Sequence, residues 1–257
     1  MEWYPQQSKE LNALLEKLLK HNPQKQEVHG IIVPHAGYPY SGATAGKAFS
    51  YLKNSNSKKA IILAPSHYVE LRGLAKHNKD YWETPLGKIK TFDEKIGAEK
   101  MDLKKEHAIG NQIPFLQKLK FQEILPLMVG SITMQEAEKI AKELSEYLTS
   151  SKLGRNEAEK IAKVLSNKNC VLVISADLSH FSEYSKAVEK DKKTIEVIQN
   201  LDFDKLEQID SCGLFPIIIT MNLCKINNWN PKLIEYKNSG DITKDKTSVV
   251  GYASFVF

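Results

Sequence analysis

Four apolar runs constrain this chain more than any other feature. They occupy residues 28–34, 59–64, 121–129 and 169–176, and each ends in polar or turn-forming residues. Short continuous runs of this kind fit strands buried on both faces, which need helices on both sides of a sheet. Helical patterns lie between them. Residues 8–20, SKELNALLEKLLK, set Leu11, Leu14, Leu15, Leu18 and Leu19 on one stripe, with Ser8 placed to cap it. Residues 43–52 carry Ala43, Ala45, Gly46 and Ala48, small enough for close packing on a sheet. No change of composition divides the chain, so the reading is one domain over 1–257 with a mostly parallel, helix-covered sheet.

Two of the runs end alike. Ile31-Ile32-Val33 stops at Pro34 and delivers His35; the run 59–64 stops at Pro65 and delivers His67 one residue later. The fourth run passes into ADLSHF and delivers Asp177 and His180, and the polar loop 238–248 offers Asp241. Ligands of open α/β sheets sit outside the carboxyl ends of the strands. Any one of these histidines alone is more often structural, but their shared placement predicts a pocket of three imidazoles and two carboxylates. Imidazole suits iron, copper and zinc, and two histidines with a carboxylate leave open positions on non-haem iron. The same set could instead run acid–base chemistry with Asp177 orienting His180. Tyr38 and Tyr40 either line the pocket mouth or cap the core. Cys212 precedes a glycine and a helix start, a setting that lowers a thiol pKa; a buried turn cysteine is the alternative.

Elsewhere, 70–92 reads as a β-hairpin turning at Thr84–Gly87, 106–119 as a short helix, and 184–200, 203–211 and 217–228 as helices. Residues 233–237 and 249–257 read as strands. EAEKIAKEL (136–144) and EAEKIAKVL (157–165) match at eight of nine positions, which reads as a helical duplication inserted within 131–166. A solenoid would need about three or more units.

Composition removes several classes of function. No run of about 18 apolar residues exists to cross a membrane. The N-terminus lacks the charged-then-apolar layout of a signal peptide, so a cytoplasmic location is expected. Three scattered cysteines make no disulfide framework. Net charge is +5, but only two of the 36 basic residues, Arg72 and Arg155, are arginines. Dispersed lysines make a solvated surface rather than a face for specific nucleic-acid recognition.

The segments WYP (3–5), VPHAGYPYSG (33–42), APSHY (64–68), TPLG (84–87), EHAIGNQIPFL (106–116), SADLSHF (175–181), NSGD (238–241) and VVGYA (249–253) resemble, in this order, the Memo family. Its microbial members include AmmeMemoRadiSam system protein B. The resemblance covers nearly the whole chain. It implies a three-layer α/β/α sandwich with a mostly parallel central sheet, similar to class III extradiol dioxygenases. It also implies a metal-competent pocket and a non-haem iron- (or copper-) dependent oxidoreductase acting on a small molecule or peptide. The alternative is a non-catalytic protein that binds a peptide, a phosphopeptide or a metal. By this resemblance His35 and His67 are metal ligands. The family's third ligand, a cysteine in the C-terminal loop of the animal protein, falls here on NSGD, which makes Asp241 the candidate and Asp245 the next. Iron is then the favoured ion, with copper and zinc as the others. Asp177, His180 and His107 take catalytic or supporting roles, and Tyr38, Tyr40, Cys212 and Trp3 line the pocket. Gly110 stands where the family has a glutamate, a departure that weighs against enzymatic activity. The system name implies radical-SAM and AMMECR1-like partners.

Overall fold

The computed structural model describes residues 3–94, 96–149 and 170–257. In chain order these form α1 (Ser8–Leu18), β1 (Gly30–Val33), α2 (Tyr38–Ser50), β2 (Lys59–Pro65), β3 (Leu74–His77), β4 (Tyr81–Thr84), β5 (Gly87–Thr91) and β6 (Ala98–Met101). Next come α3 (His107–Gly110), α4 (Ile113–Lys118), β7 (Glu123–Val129), α5 (Met134–Thr149), β8 (Cys170–Ser175) and α6 (Tyr184–Asn200). A 3₁₀ segment (Phe203–Gln208), α7 (Leu214–Asn227), β9 (Lys232–Asn238), α8 (Ser239–Thr243) and β10 (Gly251–Val256) complete the order. The second copy of the EAEKIAK motif, 157–165, lies outside the described residues.

The described strands make one ten-stranded sheet, ordered β4-β5-β7-β2-β8-β1-β10-β9, with β3 paired to β7 and β6 to β3. The five central strands β5, β7, β2, β8 and β1 are parallel. Both margins are antiparallel, through β4 on one side and β10 and β9 on the other. The predicted parallel sheet is therefore the centre of a mixed one.

The four runs are continuous because both faces of the sheet are covered. Ile32, Ile61, Leu63, Leu125, Leu172 and Ile174 face one way, against Ala137 and Leu144 of α5, Ile198 of α6 and Ile217 of α7. Ile31, Val33, Ile62, Ala64, Val171 and Val173 face the other way, against Leu11 and Leu15 of α1, Phe49 of α2 and Ile113 of α4. Neighbouring residues thus belong to opposite cores, the period of two that a strand imposes. The result is the expected helix–sheet–helix sandwich. Among the described residues no helix is long and apolar enough to cross a membrane.

Local differences from the sequence reading have physical reasons. Gln7, not Ser8, is the N-cap of α1, with no side-chain cap bond. Helix α2 starts at Tyr38, five residues early, because Pro39 in its first turn is well suited there. The segment 106–119 breaks into α3 and α4, and Pro114 opens the second. The loop 238–248 contains the short helix α8.

Candidate metal centre

Strand order decides what the tips can share. β2, β8 and β1 are adjacent and parallel, in the register Leu63↔Ile174↔Ile32. Their carboxyl ends therefore lie side by side and bring His67, Asp177 and His35 to one edge of the sheet.

His35 is buried and held from four directions. Its backbone N donates to Asp177 Oδ1 at 2.7 Å, its carbonyl accepts from Asn111 Nδ2, and its Nδ1 lies 2.9 Å from Ser175 Oγ. Its Nε2 lies 3.3 Å from Cys212 Sγ. Ser175 fixes the tautomer. Its one hydroxyl proton goes to Ala108 O at 2.7 Å, so Oγ can only accept, from Gln112 Nε2 at 2.8 Å and from His35 Nδ1. The His35 proton is therefore on Nδ1, and the Nε2 lone pair faces Cys212. Burial, with His67 and His107 nearby, holds the His35 pKa well below its ordinary value.

His67 is more exposed and is clamped by Glu106. Glu106 Oε2 accepts from the His67 backbone N at 2.8 Å, and Oε1 lies 2.9 Å from Nδ1. Burial works to raise the Glu106 pKa, but the side-chain and backbone donors of His67 and the Ala108 N–H outweigh it and hold it below the ordinary value. An ionised carboxylate only accepts, so His67 Nδ1 donates to it, which fixes the ring and leaves Nε2 outside that contact.

His107 completes a triangle of imidazoles. Ring centroids are 5.1 Å apart for His35–His67, 5.4 Å for His35–His107 and 4.5 Å for His67–His107. Trp3 stacks on His107 at 4.1 Å, and Tyr68 OH reaches its Nδ1 at 2.9 Å. Burial and the neighbouring His67 lower the His107 pKa.

Asp177 is the deepest carboxylate. Its Oδ2 lies 3.9 Å from His35 Nε2. Burial pushes its pKa up to about 6, against the pull of N–H groups of His35 and Ala36 and of the nearby His180. His180 acts on Asp177 and His35 through its field; its own ring lies against the exposed Phe181.

Cys212 arrives from the other side of the sheet edge, just ahead of α7. This approach needs a glycine next to it: a Cβ on Gly213 would stand 2.3 Å from Ala176 Cβ. The expected lowering of the thiol pKa is not found. Burial and the facing Asp177 raise it, and both outweigh proximity to a helix start.

The predicted constellation is thus partly replaced. His107 takes the third imidazole place given to His180, and Glu106 takes the carboxylate place given to Asp241. Asp241 is used elsewhere, in the capping box of α8. Its Oδ2 accepts from Asn238 N at 3.0 Å and its Oδ1 from Tyr184 OH at 2.9 Å. The alternative, Asp245, is bound to Thr247 in its own loop. Tyr38 is buried, with its hydroxyl on Asn111 O and its ring tilted on Phe115, so it caps the core; Tyr40 faces outward.

Among the described residues two groups offer converging metal-ligand atoms. His35, His67 and Cys212 form one, and His67, Glu106 and His107 the other, each with its ligand atoms within 4.8 Å of one another. The first fits a cation well. Two imidazoles present their Nε2 atoms, their Nδ1 atoms are anchored by Ser175 and Glu106, and the buried thiol needs a positive charge beside it to ionise. Glu106 and Ser175 were the residues that sequence reasoning missed. Glu106 stood next to His107, and Ser175 opened the SADLSHF segment. Neither side chain has metal-ligand meaning until the strand tips are brought together.

A cleft of about 750 Å³ adjoins this edge, lined in part by Trp3, Trp82, Lys104, Glu106, His107 and Gly110. Gly110 leaves room there, since a Cβ on it would meet only Trp82, at 3.8 Å.

Fold and site together define an α/β sandwich with a group of histidine and cysteine donor atoms, of the kind that could hold a metal ion, at the carboxyl ends of its parallel strands. The family described as Memo-like protein matches residues 2–256, and the chain belongs to it. A MEMO1 family protein of Sulfolobus acidocaldarius is 32% identical, over 93% of this chain and 85% of its own length. One from Sulfurisphaera tokodaii is 35% identical over 91% and 85%, and one from Methanobrevibacter smithii is 32% identical over 99% and 96%.

Proposed function

We propose that this chain is a metal-binding protein that holds one ion between His35, His67 and Cys212 and acts on a ligand seated in the adjoining cleft. The observation that carries this reading is the 3.3 Å approach of Cys212 Sγ to the unprotonated Nε2 of His35. A thiolate with two imidazoles suits copper and zinc as well as iron, and the sulfur moves the preference away from the iron expected for two histidines and a carboxylate. When bound, the ion supplies Lewis-acid or redox chemistry to the ligand. The chain's own groups surround that point. Asp177 holds or releases a proton at Oδ2, on the buried side. Glu106 fixes the His67 ring, and His107 with Tyr68 presents a polar edge toward the cleft. An oxidoreductase acting on a small molecule or peptide extends this reading. Association with radical-SAM and AMMECR1-like partners belongs to the same proposal and rests on the family resemblance.

The test is anaerobic loading with copper(I), zinc(II) and iron(II) in turn, followed by dialysis and metal analysis. Cys212→Ser is expected to lose one equivalent of the metal that wild type holds and Asp241→Ala to lose none. The opposite pattern in folded protein sinks the assignment. Metal-dependent oxygen uptake with any of a panel of catechols and peptides supports the enzymatic extension; its absence across the panel favours binding without turnover.

A further inference from the structure

Apart from His67, the second group of donors supplies no ligand to the centre just described. Its members converge on one carboxylate oxygen. Glu106 Oε1 lies 2.9 Å from His67 Nδ1 and 3.3 Å from His107 Nδ1, and Tyr68 OH stands 2.9 Å from that same His107 nitrogen. A tetrahedral ion with bonds of about 2.0–2.2 Å sets neighbouring donors roughly 3.3–3.6 Å apart. The observed spacings come within a few tenths of an ångström of those edges. Glu106 is buried and already fixed through Oε2, so little order remains to be created. Tyr68 is exposed and stands on the solvent side, which gives an ion a way in.

We propose that Glu106, His67, His107 and Tyr68 form a second divalent-cation seat, so that the fully loaded chain holds two ions bridged by the His67 ring. The inner ion uses His67 Nε2 and the outer one Nδ1. The outer ion takes the place of the Nδ1 proton, which leaves to solvent. The bridging ring is then an anion between two cations, a charge pattern that each ion helps to stabilise. The donor set of two nitrogens, a carboxylate and a phenol selects borderline ions such as zinc(II), cobalt(II) or copper(II) rather than the softer copper(I). The proposal rests on the inner centre only through the shared ring.

The experiment is an anaerobic cobalt(II) titration of the full chain. Equilibrium dialysis counts bound ions, and the thiolate-to-cobalt charge-transfer band reports the Cys212 seat separately. Wild type is expected to bind about two ions per chain, with the band present. His107→Ala is expected to keep the band and lose one ion, and Cys212→Ser to lose the band and keep one. Tyr68→Phe, at an exposed position where folding is not at stake, is expected to weaken only the second equivalent, by roughly 10-fold or more. Saturation at one ion in a wild type that shows the band overturns the proposal. So does a second equivalent unchanged in both His107→Ala and Tyr68→Phe. Absence of the band in wild type would count against the inner centre, while the dependence of binding on His107 still decides the outer seat.

Discussion

Two buried carboxylates flank the same cluster of histidines, and they behave in opposite ways. Glu106, at the start of α3, meets three donors and is held ionised. Asp177, beyond β8, is also hydrogen-bonded, yet it is pushed up to about 6. The difference is one of surroundings. Glu106 lies toward the cleft and satisfies both oxygens, whereas Asp177 sits deep between β1 and the Cys212 turn, where burial outweighs its donors. One carboxylate is a fixed clamp; the other can exchange a proton near neutral pH.

Removing the clamp should have the largest effect. Glu106→Ala leaves the His67 and Ala108 N–H groups without an acceptor, and is expected to cost roughly 3 kcal/mol or more in chemical denaturation. It is also expected to weaken ion binding at the centre by about 10–100-fold. An unchanged ion affinity in folded protein would remove the distinction between clamp and proton holder.

The proton holder has a signature in pH. Asp177 titrates near 6 when folded and near its ordinary 3.8 when unfolded. The folded chain therefore binds the extra proton in that window, and the contribution is fully present below pH 4 and lost as pH rises through 6. Asp177→Asn should flatten this loss. The metal-free variant is expected to gain up to about 3 kcal/mol relative to wild type at pH 7.5 and nothing at pH 4. Thermal melts across that range decide it. His35 opposes the trend: its lowered pKa makes stability fall as pH drops below 6.5, in wild type and variant alike.

Gly213→Ala tests how the thiol is delivered. The added methyl meets Ala176, so about 1–3 kcal/mol of stability is expected to be lost, with a weaker thiolate-dependent ion signal. The smallest effect belongs to Asp241→Ala. It removes the N3 half of the α8 capping box and the acceptor of Tyr184 OH, a loss of about 1 kcal/mol, and should leave ion binding at the Glu106 and Asp177 edge unchanged. A loss of binding there would return Asp241 to the centre.

Much of this was legible in the chain itself. The buried runs gave the strands because period and length are local properties, and Pro34 and Pro65 marked where two of them stop. The resemblance brought in His107, and the adjacency of SADLSHF to a strand brought in Asp177. Asp241 misled because a polar residue in a loop reads the same whether it caps a helix or faces a pocket. The difference lies in a backbone turn, Asn238–Asp241, and in a tyrosine 57 residues away.

The placement of His35 and His67 at strand ends was legible in the sequence alone, since each follows an apolar run that stops at a proline. The third ligand candidate and the clamp were decided only by tertiary structure. Cys212 lies 177 residues from His35 in the chain, and Glu106 lies 39 from His67. No local pattern encodes such pairs: they meet because parallel pairing of β2, β8 and β1 aligns three strand ends, and because a glycine lets α7 approach them.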